Sequence, residues 1–265
     1  MTIKKRFYGK GIPGVDAKDL KGSLIVVEGG DGSGRSTQIA LLKDWLERLG
    51  YPTAEMGLKR SDLVGKELME VMKGNMLCPL TLSLFYITDF ADQLENSLIP
   101  ALRAGFVVIA DRYIYTLMAR HIVRGVSKTW LKEVSGIALV PDLVFLLKVK
   151  PQTLAERSFR KNGTLDFWES GMDIERSGDL FHCFMKYQRA LSAEFDLMAH
   201  EYGFISLSGD RDAYAIHNDI IVGVKTVLKG PVGVPPDIVE TSGNATVAFT
   251  ARGNKKKKST LRGVR

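Results

Sequence analysis

The chain has 265 residues, and its 45% hydrophobic content is enough for a sizeable core in one α/β domain. Seven of its 37 basic residues lie in residues 251–265, which contain no acidic residue, so the remaining basic residues equal the 30 acidic residues in number. The body therefore has no net basic bias toward nucleic acid or membranes. No hydrophobic run reaches transmembrane length, and the N-terminus lacks the hydrophobic segment of a signal peptide, so we expect a cytoplasmic protein.

The first predicted elements are an irregular leader, a strand and a helix. Residues 1–22 are rich in glycine and predict the leader. Residues 24–27 are a continuous run of β-branched and aliphatic side chains, which is typical of a buried parallel strand. Hydrophobic residues then recur at helical spacing over residues 39–49, and Gly50 ends that helix.

The stretch between this strand and helix matches the phosphate-binding pattern Gly-x-x-x-x-Gly-Lys-Ser/Thr, except that Arg35 stands in the lysine position. Glycines let successive N–H groups point at an anion, and the helix N-terminus adds partial positive charge. Ser36 is the candidate Mg²⁺ ligand, and Arg35 either clamps two phosphate oxygens or displaces the γ-phosphate from its in-line position. A glycine-rich turn without a ligand is the less favoured alternative. The candidate nucleotide-binding residues are Gly29, Gly30, Asp31, Gly32, Ser33, Gly34, Arg35, Ser36 and Thr37.

A second candidate site follows the next predicted strand, residues 106–110. Helices are predicted before this strand over residues 61–73 and 79–104, and after it over residues 114–124. An acid at the carboxyl end of a buried strand faces the same crevice as the phosphate-binding loop. We expect Asp111 to hold hydrated Mg²⁺ or to orient an acceptor phosphate, and Arg112 to bind that phosphate. The alternative is that Asp111 caps the following helix and Arg112 pairs with an acid.

Residues 143–149 predict another strand, and the helix predicted over residues 151–161 carries Arg157 and Arg160 on one face. The region of about residues 157–178 contains three glycines and predicts a mobile lid. Closure of such a lid would bring these arginines onto a transferring phosphoryl group. A solvated charged face is the alternative.

The last predicted elements are a helix over residues 180–202, a strand over residues 204–207 and a helix over residues 213–229. Alternating strands and helices over residues 23–229 predict a parallel sheet covered on both faces. Residues 230–265 predict a basic tail with the composition of a disordered segment. A solvated tail is the favoured interpretation of its lysine run, and binding of nucleic acid or an acidic partner is the alternative.

Five stretches, taken in order, resemble the thymidylate kinase family of nucleoside monophosphate kinases over most of residues 23–229. They are residues 27–38, Asp111-Arg112-Tyr113 with Thr116, Pro141-Asp142-Leu143, Leu154-Ala155-Glu156-Arg157, and Phe181-His182 with Tyr187. The resemblance implies a P-loop kinase three-layer sandwich, with a five-stranded parallel sheet, helices on both faces and a helical lid. It also implies ATP and Mg²⁺ as cofactors, thymidylate (dTMP) as the acceptor, the diphosphate as product, and commonly a homodimer.

The resemblance also implies roles for individual residues. Asp31 and Arg112 would hold the acceptor monophosphate and magnesium, and Phe85 or Tyr86 would stack on the acceptor base. The implied catalytic residues are Arg35, Asp111, Arg112, Arg157 and Arg160. The implied metal ligands are Ser36 and Asp111. The implied substrate contacts are Asp31, Phe85, Tyr86, Phe90, Arg112, Thr116, Leu117 and Arg120.

The chain departs from the family pattern around the acceptor. Phe90 stands in place of the base-reading arginine, and Leu117 and Arg120 stand in place of polar and aromatic base contacts. Residues 166–169 lack the lid arginine, and residues 59–60 are Lys-Arg in place of the family's Arg-Glu-Pro-Gly-Gly segment. Because an apolar ring leaves the polar edge of thymine unpaired, two alternatives stay open. One is a nucleotide-binding protein with weak or no dTMP kinase activity, and the other is a kinase for a different small phosphorylated acceptor.

Overall fold

A computed structural model of the chain describes residues 5–74, 77–175 and 179–228, so the predicted tail lies outside the described residues. Its five strands form one parallel sheet in the order β2-β3-β1-β4-β5. The strands are β1 (Ser23–Gly29), β2 (Thr53–Gly57), β3 (Val107–Asp111), β4 (Leu143–Lys148) and β5 (Ile205–Ser208). The predicted α/β class with a five-stranded parallel sheet is confirmed.

Helices cover both faces of the sheet. They are α1 (Arg35–Arg48), α2 (Gly65–Gly74), α3 (Pro79–Gln93), α4 (Ile99–Arg103), α5 (Ile114–Val123), α6 (Lys128–Val134), α7 (Pro151–Asn162), α8 (Leu180–Tyr202) and α9 (Ala213–Lys225). Successive side chains of β1 point to opposite faces. Leu24 and Val26 therefore pack in a core that includes residues of α3, α5 and α8, and Ile25 and Val27 pack in a second core with α1 and α9. No described helix is both long and hydrophobic enough to cross a membrane.

Three elements of the structure differ from the prediction. The helix predicted over residues 79–104 is divided into α3 and α4 by a π-helical turn, Leu94–Leu98. Strand β2 was not predicted, because it is a short edge strand whose first three residues are only partly buried or exposed, which removes the hydrophobic pattern. Helix α6 was not predicted either, because its seven residues are too few for a clear periodicity.

The described part of the leader packs against the body. Phe7 forms an antiparallel bridge with Leu139, and Lys5 donates a hydrogen bond of 2.5 Å to the Asp142 carboxylate. Asp142 also accepts a bond of 2.7 Å from the backbone N–H of Leu24 in the central strand. The described part of the leader is therefore fixed to the sheet by specific contacts.

The order of the strands sets the position of the functional residues. Asp111 at the end of β3 is in register with Val27 of β1 and with Gly57 of β2. Because all the strands run in one direction, the loop after β1, Asp111 and the residues after β2 meet at the same edge of the sheet.

Candidate active site

The loop between β1 and α1 is curled by glycines in a backbone conformation that other residues rarely adopt. Gly29, Gly32 and Gly34 have φ values of 144°, 83° and 95°. A Cβ atom on Gly29 would lie 2.7 Å from Ser33 Oγ and 2.8 Å from the carbonyl oxygen of Leu147. Helix α1 begins directly after the loop, so its N-terminal partial positive charge faces the concave side. This geometry suits a bound phosphate.

Arg35 joins the loop to two acidic residues. Its Nη1 donates to the carbonyl oxygens of Gly29 (2.5 Å) and Gly30 (2.6 Å), and its Nε donates to Asp111 (2.8 Å). Its Nη2 donates to Asp31 at 3.3 Å. Burial opposes the charge of Arg35, but the neighbouring carboxylates outweigh it and raise the pKa. The guanidinium thus stays charged and fixes the shape of the loop.

Glu28 holds the start of α5 beneath the loop. This fully buried carboxylate accepts bonds from the backbone N–H of Tyr113 (2.9 Å) and from the hydroxyl of Thr116 (2.5 Å). Burial raises its pKa. Because Glu28 occupies the capping position, Asp111 does not cap α5, and its carboxylate remains available to Arg35.

Three arginines converge on the carboxylate of Asp31. Arg112 lies 2.5 Å from it, Arg35 lies 3.3 Å from it and Arg120 lies 3.4 Å from it. Burial raises the pKa of Asp31, but the three guanidinium charges outweigh this effect and hold the pKa well below its usual range. The residues that line the cleft include five cations (Arg35, Lys59, Arg120, Arg157 and Lys161) and three acidic residues (Asp31, Asp166 and Glu169), so positive charge is in excess there. A second anion can therefore be accommodated here.

Arg112 is held in an unusual conformation. Its φ of 72° lies in the left-handed region, although the residue is not glycine. Its backbone N–H donates to the carbonyl oxygen of Val27 at 3.1 Å, which fixes it to β1. The Nε atoms of Arg112 and Arg120 are buried and have no hydrogen-bond partner among the described residues. Buried donors without partners are costly, and an anionic ligand would satisfy them.

The glycine loop, Arg35 and Arg120 face a cleft of about 530 Å³, whereas Arg112 is not among the residues that line it. Its walls are lined by Asp31, Gly32, Gly34, Arg35, Ser36, Thr37, Lys59, Met72, Arg120, Arg157, Ser158, Lys161, Asn162, Asp166, Trp168 and Glu169. Arg157 donates to the carbonyl oxygens of Gly32 and Gly209, both at 3.1 Å, and so connects α7 with the loop. The cleft therefore has the phosphate-binding loop at one end and cations from α5 and α7 along its sides.

The described part of the lid region is fastened to α5 by two ion pairs. Arg120 donates to Glu169, and Arg124 pairs with Asp173 at 2.7 Å. Arg120 lies in α5 and Arg124 directly follows that helix, and the four-residue spacing of the two arginines equals that of their acidic partners. Burial raises the pKa of Glu169 to about 6.

Trp168, which directly precedes Glu169, covers the far end of the cleft. Its indole N–H donates to the carbonyl oxygen of Met72 in α2 at 3.0 Å, and the Arg124 guanidinium lies 5.6 Å from its ring. Behind it lies a small hollow of about 10 Å³, whose lining includes Tyr86, Arg120 and His121. The described part of the lid region thus contacts α2 on one side and Arg124, at the end of α5, on the other.

Several predicted substrate contacts are core residues and do not line the cleft. Phe90 is 1% exposed and packs edge-on against Tyr113, with ring centroids 5.1 Å apart. Thr116 donates to Glu28, Leu117 is buried in the core, and Phe85 packs against the same core. We correct these assignments, because the side chains fill the space between α3, α5 and the sheet. Of the predicted substrate contacts, Arg120 and Asp31 line the cleft and Tyr86 lines the adjoining hollow.

The assignment of Arg160 in α7 as a catalytic residue is also corrected. Arg160 is exposed and is not among the cleft-lining residues, whereas Lys161, one residue further on, lines the cleft together with Arg157. Leu154 and Ala155 are buried and fix the side of α7 that faces the protein. A spacing of four residues, Arg157 to Lys161, was the signal that could have identified this pair.

Ser36 and Asp111 line a further hollow of about 360 Å³, together with Glu55 and Arg60. A hydroxyl and a carboxylate are hard oxygen donors of the kind that Mg²⁺ prefers. Among the described residues, no group of three or more His, Cys, Asp or Glu side chains could hold a metal ion. The donors present therefore fit a magnesium ion that takes its remaining ligands from phosphates and water.

His121, in the hollow behind Trp168, is expected to make the stability of the protein depend on pH. Burial, together with Arg124 and Arg120, lowers the pKa of His121 from 6.5 to about 3. Between pH 6.5 and pH 3, His121 binds a proton in the unfolded chain but stays neutral in the folded protein. The stability that neutral His121 contributes is therefore fully present above pH 6.5 and is lost as the pH falls toward 3. We expect the wild-type unfolding free energy to drop by about 2 kcal/mol more than that of His121→Asn between pH 7 and pH 5, as measured by urea titration. Parallel pH dependences of the two proteins would contradict this expectation.

A family model described as "Thymidylate kinase" matches residues 27–199. A Saccharolobus solfataricus protein named "Probable thymidylate kinase 2" is 38% identical over 204 residues, which cover 76% of this chain and 94% of that protein. A Pyrococcus horikoshii protein named "Probable thymidylate kinase" is 32% identical over 221 residues, covering 80% of this chain and 100% of that protein. A Pelotomaculum thermopropionicum protein named "Thymidylate kinase" is 32% identical over 219 residues, covering 79% of this chain and 95% of that protein.

Proposed function

This chain belongs to the thymidylate kinase family, and we therefore propose that it transfers the γ-phosphoryl group of ATP to dTMP, giving ADP and dTDP. The observation that carries the proposal is the convergence of Arg35, Arg112 and Arg120 on Asp31, beside a glycine loop shaped for phosphate. A nucleoside monophosphate kinase needs a donor phosphate site and an acceptor phosphate site in one cleft. The glycine loop supports a donor site, and the arginines around Asp31 support an acceptor site.

The loop holds the donor. Backbone N–H groups of residues 29–34 and the N-terminus of α1 surround the β-phosphate, and Arg35 neutralises charge while keeping the loop curled. Ser36 and Asp111 would hold Mg²⁺, which neutralises charge on the phosphates when it is bound.

The acceptor phosphate binds at Arg112, with Asp31 and Arg120 beside it. Arg112 has a buried Nε without a partner among the described residues, and this donor suits a phosphate oxygen. Lys59 lines the cleft together with Asp31 and Arg120. Burial, together with Arg120 and Arg112, lowers the pKa of Lys59, and a dianionic phosphate would favour its charged form.

In the transfer step, an oxygen of the dTMP phosphate forms a bond to the γ-phosphorus as the bond from that phosphorus to the β,γ-bridging oxygen breaks. ADP leaves with the bonding electron pair. The acceptor phosphate is largely dianionic at neutral pH, so no general base is required. Catalysis then consists of positioning and of charge stabilisation by Arg35, Arg157 and Lys161 around the transferring group.

Two arginines of α7, Arg157 and Arg160, are expected to differ in their effect on kcat. Arg157→Ala should lower kcat on the order of 100-fold, because it removes a cation that contacts the loop at Gly32. Arg160→Ala, one turn further on an exposed face, should change kcat by no more than about twofold. Steady-state assays of both variants provide the test, and equal losses would show that the helix contributes only general positive charge.

The alternatives of a weak or inactive relative, or of a different acceptor, are not favoured by the family match and the curated relatives. A coupled ADP-release assay with ATP, Mg²⁺ and each common nucleoside monophosphate tests the proposal. We expect dTMP to be the best acceptor. Absence of ADP formation with every monophosphate would overturn the proposed function.

We also propose that the chain forms a homodimer. The resemblance to the family supports this, and Leu80 and Leu84 form an exposed hydrophobic strip on α3, at 52% and 47% exposure. Sedimentation equilibrium at micromolar concentration should give the mass of two chains. The mass of one chain would contradict the proposal.

A further inference from the structure

The described part of the leader packs tightly against the segment that precedes β4. The backbone N–H of Tyr8 donates to the carbonyl oxygen of Ala138 at 2.9 Å, and that of Gly9 donates to the carbonyl oxygen of Gly136 at 2.8 Å. The two glycine backbones are so close that a Cβ atom on Gly9 would lie 2.9 Å from the Cα atom of Gly136. The leader lies outside residues 27–199, which the family model matches, so its side of these contacts is not part of that match.

The side chain of Tyr8 connects the leader with α5. Its hydroxyl lies 2.5 Å from the hydroxyl of Tyr115, which is in the first turn of α5. Tyr115 is fully buried, and among the described residues Tyr8 is the only hydrogen-bond partner of its hydroxyl. Burial raises the pKa of both hydroxyls, so both stay protonated at neutral pH and one donates to the other.

A second tyrosine, Tyr113, is anchored to the same segment before β4. Its hydroxyl donates to the carbonyl oxygen of Leu139 at 2.9 Å. The next residue, Val140, donates its backbone N–H to the carbonyl oxygen of Arg6 in the leader at 2.8 Å. The leader and the segment before β4 thus form one layer, to which both tyrosines are fixed through their hydroxyls.

Arg112 lies directly before these tyrosines and is held less firmly by the sheet than Asp111 is. Asp111 is the last residue of β3, and it is fixed by the register with β1 and β2 and by Arg35. Arg112 lies beyond β3, and its backbone N–H donates to the carbonyl oxygen of Val27. Because its left-handed backbone is unfavourable for a residue other than glycine, the surrounding structure must hold Arg112 there.

We propose that Tyr8 is a positioning residue for phosphoryl transfer, which holds the first turn of α5 through Tyr115 and thereby keeps Arg112 in place for the acceptor phosphate; this inference rests on the proposed function. Loss of the Tyr8 hydroxyl would leave the Tyr115 hydroxyl buried without a partner, which is costly. A shift of the first turn toward another partner or water would relieve that cost and would move Arg112. The acceptor side of the cleft would then lose affinity, whereas the donor side would keep its geometry.

The test uses replacements of tyrosine by phenylalanine, which keep each ring and remove only the hydroxyl. We expect Tyr8→Phe to raise the KM for dTMP by about threefold to tenfold, with the KM for ATP unchanged. Tyr115→Phe removes the same hydrogen bond, so the double variant should be no more impaired than the worse of the two single variants. Single effects that multiply in the double variant would show that the two hydroxyls act independently, and would overturn the proposal.

Tyr202→Phe is the matched control. The Tyr202 ring belongs to the same aromatic cluster, with its centroid 5.5 Å from that of Tyr8 and 5.3 Å from that of Tyr115. Of these three rings, Tyr8 and Tyr115 are the two that are joined through their hydroxyls. Tyr202→Phe should therefore leave both KM values unchanged. An increase in the KM for dTMP equal to that of Tyr8→Phe would show that any change in the cluster is sufficient, and would overturn the specific role of Tyr8.

Amide hydrogen exchange gives a readout that does not depend on activity. Three backbone N–H groups of residues 112–116 are bonded to Val27 or Glu28, so their exchange reports how firmly this turn is held. We expect Tyr8→Phe to accelerate exchange in residues 112–116 by at least about fivefold, and Tyr202→Phe to leave it unchanged. Mass spectrometry of peptides from this region provides the measurement, and thermal melts confirm that each variant is folded.

Failure of this inference can be distinguished from failure of the proposed function. If wild type phosphorylates dTMP and Tyr8→Phe keeps the wild-type KM for dTMP, the role of Tyr8 is overturned and the proposed function stands, whatever the exchange rates are. If wild type transfers no phosphoryl group to dTMP, the proposed function fails. Hydrogen exchange then decides whether Tyr8 holds the turn, because unchanged exchange in Tyr8→Phe would overturn that role as well.

Discussion

Replacement of Arg35 by alanine is expected to lower kcat for dTMP phosphorylation by about 10³-fold. The change removes the donor that joins the carbonyl oxygens of Gly29 and Gly30 to the carboxylates of Asp31 and Asp111. It also leaves those carboxylates repelling the phosphates that the loop must hold. A coupled ADP-release assay measures the loss, and calorimetric binding of ADP separates it from a loss of nucleotide affinity.

The Arg35→Lys variant restores the residue that phosphate-binding loops usually carry. We expect it to be roughly tenfold slower than wild type, because an ammonium group has three donors and cannot serve the four acceptors that Arg35 contacts. A lysine variant faster than wild type would mean that Arg35 impairs the site.

Replacement of Arg112 by alanine is expected to raise the KM for dTMP about 100-fold and to leave the KM for ATP unchanged. Arg112 lies against Asp31 at 2.5 Å and has a buried, unpartnered Nε among the described residues. Its loss removes the proposed charge-assisted contact to the acceptor phosphate and leaves Asp31 less well neutralised. Initial rates with each substrate varied in turn provide the measurement.

Arg103→Ala is the control for this prediction. Arg103 is an exposed arginine at the end of α4, away from the cleft-lining residues, so its replacement should leave both KM values unchanged. Equal increases in both KM values for Arg112→Ala would show that Arg112 supports the cleft as a whole and does not select the acceptor side.

The phosphate-binding loop and Asp111 could be predicted because their signals are local. A strand, a run of glycines and a helix follow one another within residues 23–48, and Asp111 directly ends a buried strand. The lid contacts could not be predicted in the same way. Arg124 and Asp173 are 49 residues apart, and only the folded chain brings them together. The same holds for Glu28 and Thr116, which are 88 residues apart.

The wrong assignments of Phe90 and Arg160 have a different origin. Phe90 was predicted as a substrate contact from its position relative to a family pattern, but a phenylalanine gains more from packing against Tyr113 than from lining a polar cleft. Arg160 and Lys161 are neighbours, so charge pattern alone cannot decide which of them faces the cleft. The docking of α7 through Leu154 and Ala155 decides it.

Because of the left-handed backbone at Arg112, stability and activity favour different residues at this position. Holding a non-glycine residue at φ 72° costs on the order of 1 kcal/mol, and glycine would relieve that cost. Glycine would also remove the guanidinium that contacts Asp31. Selection for a more stable protein and selection for a faster one therefore act in opposite directions on this residue, and a stabilised variant obtained here would be a poorer enzyme.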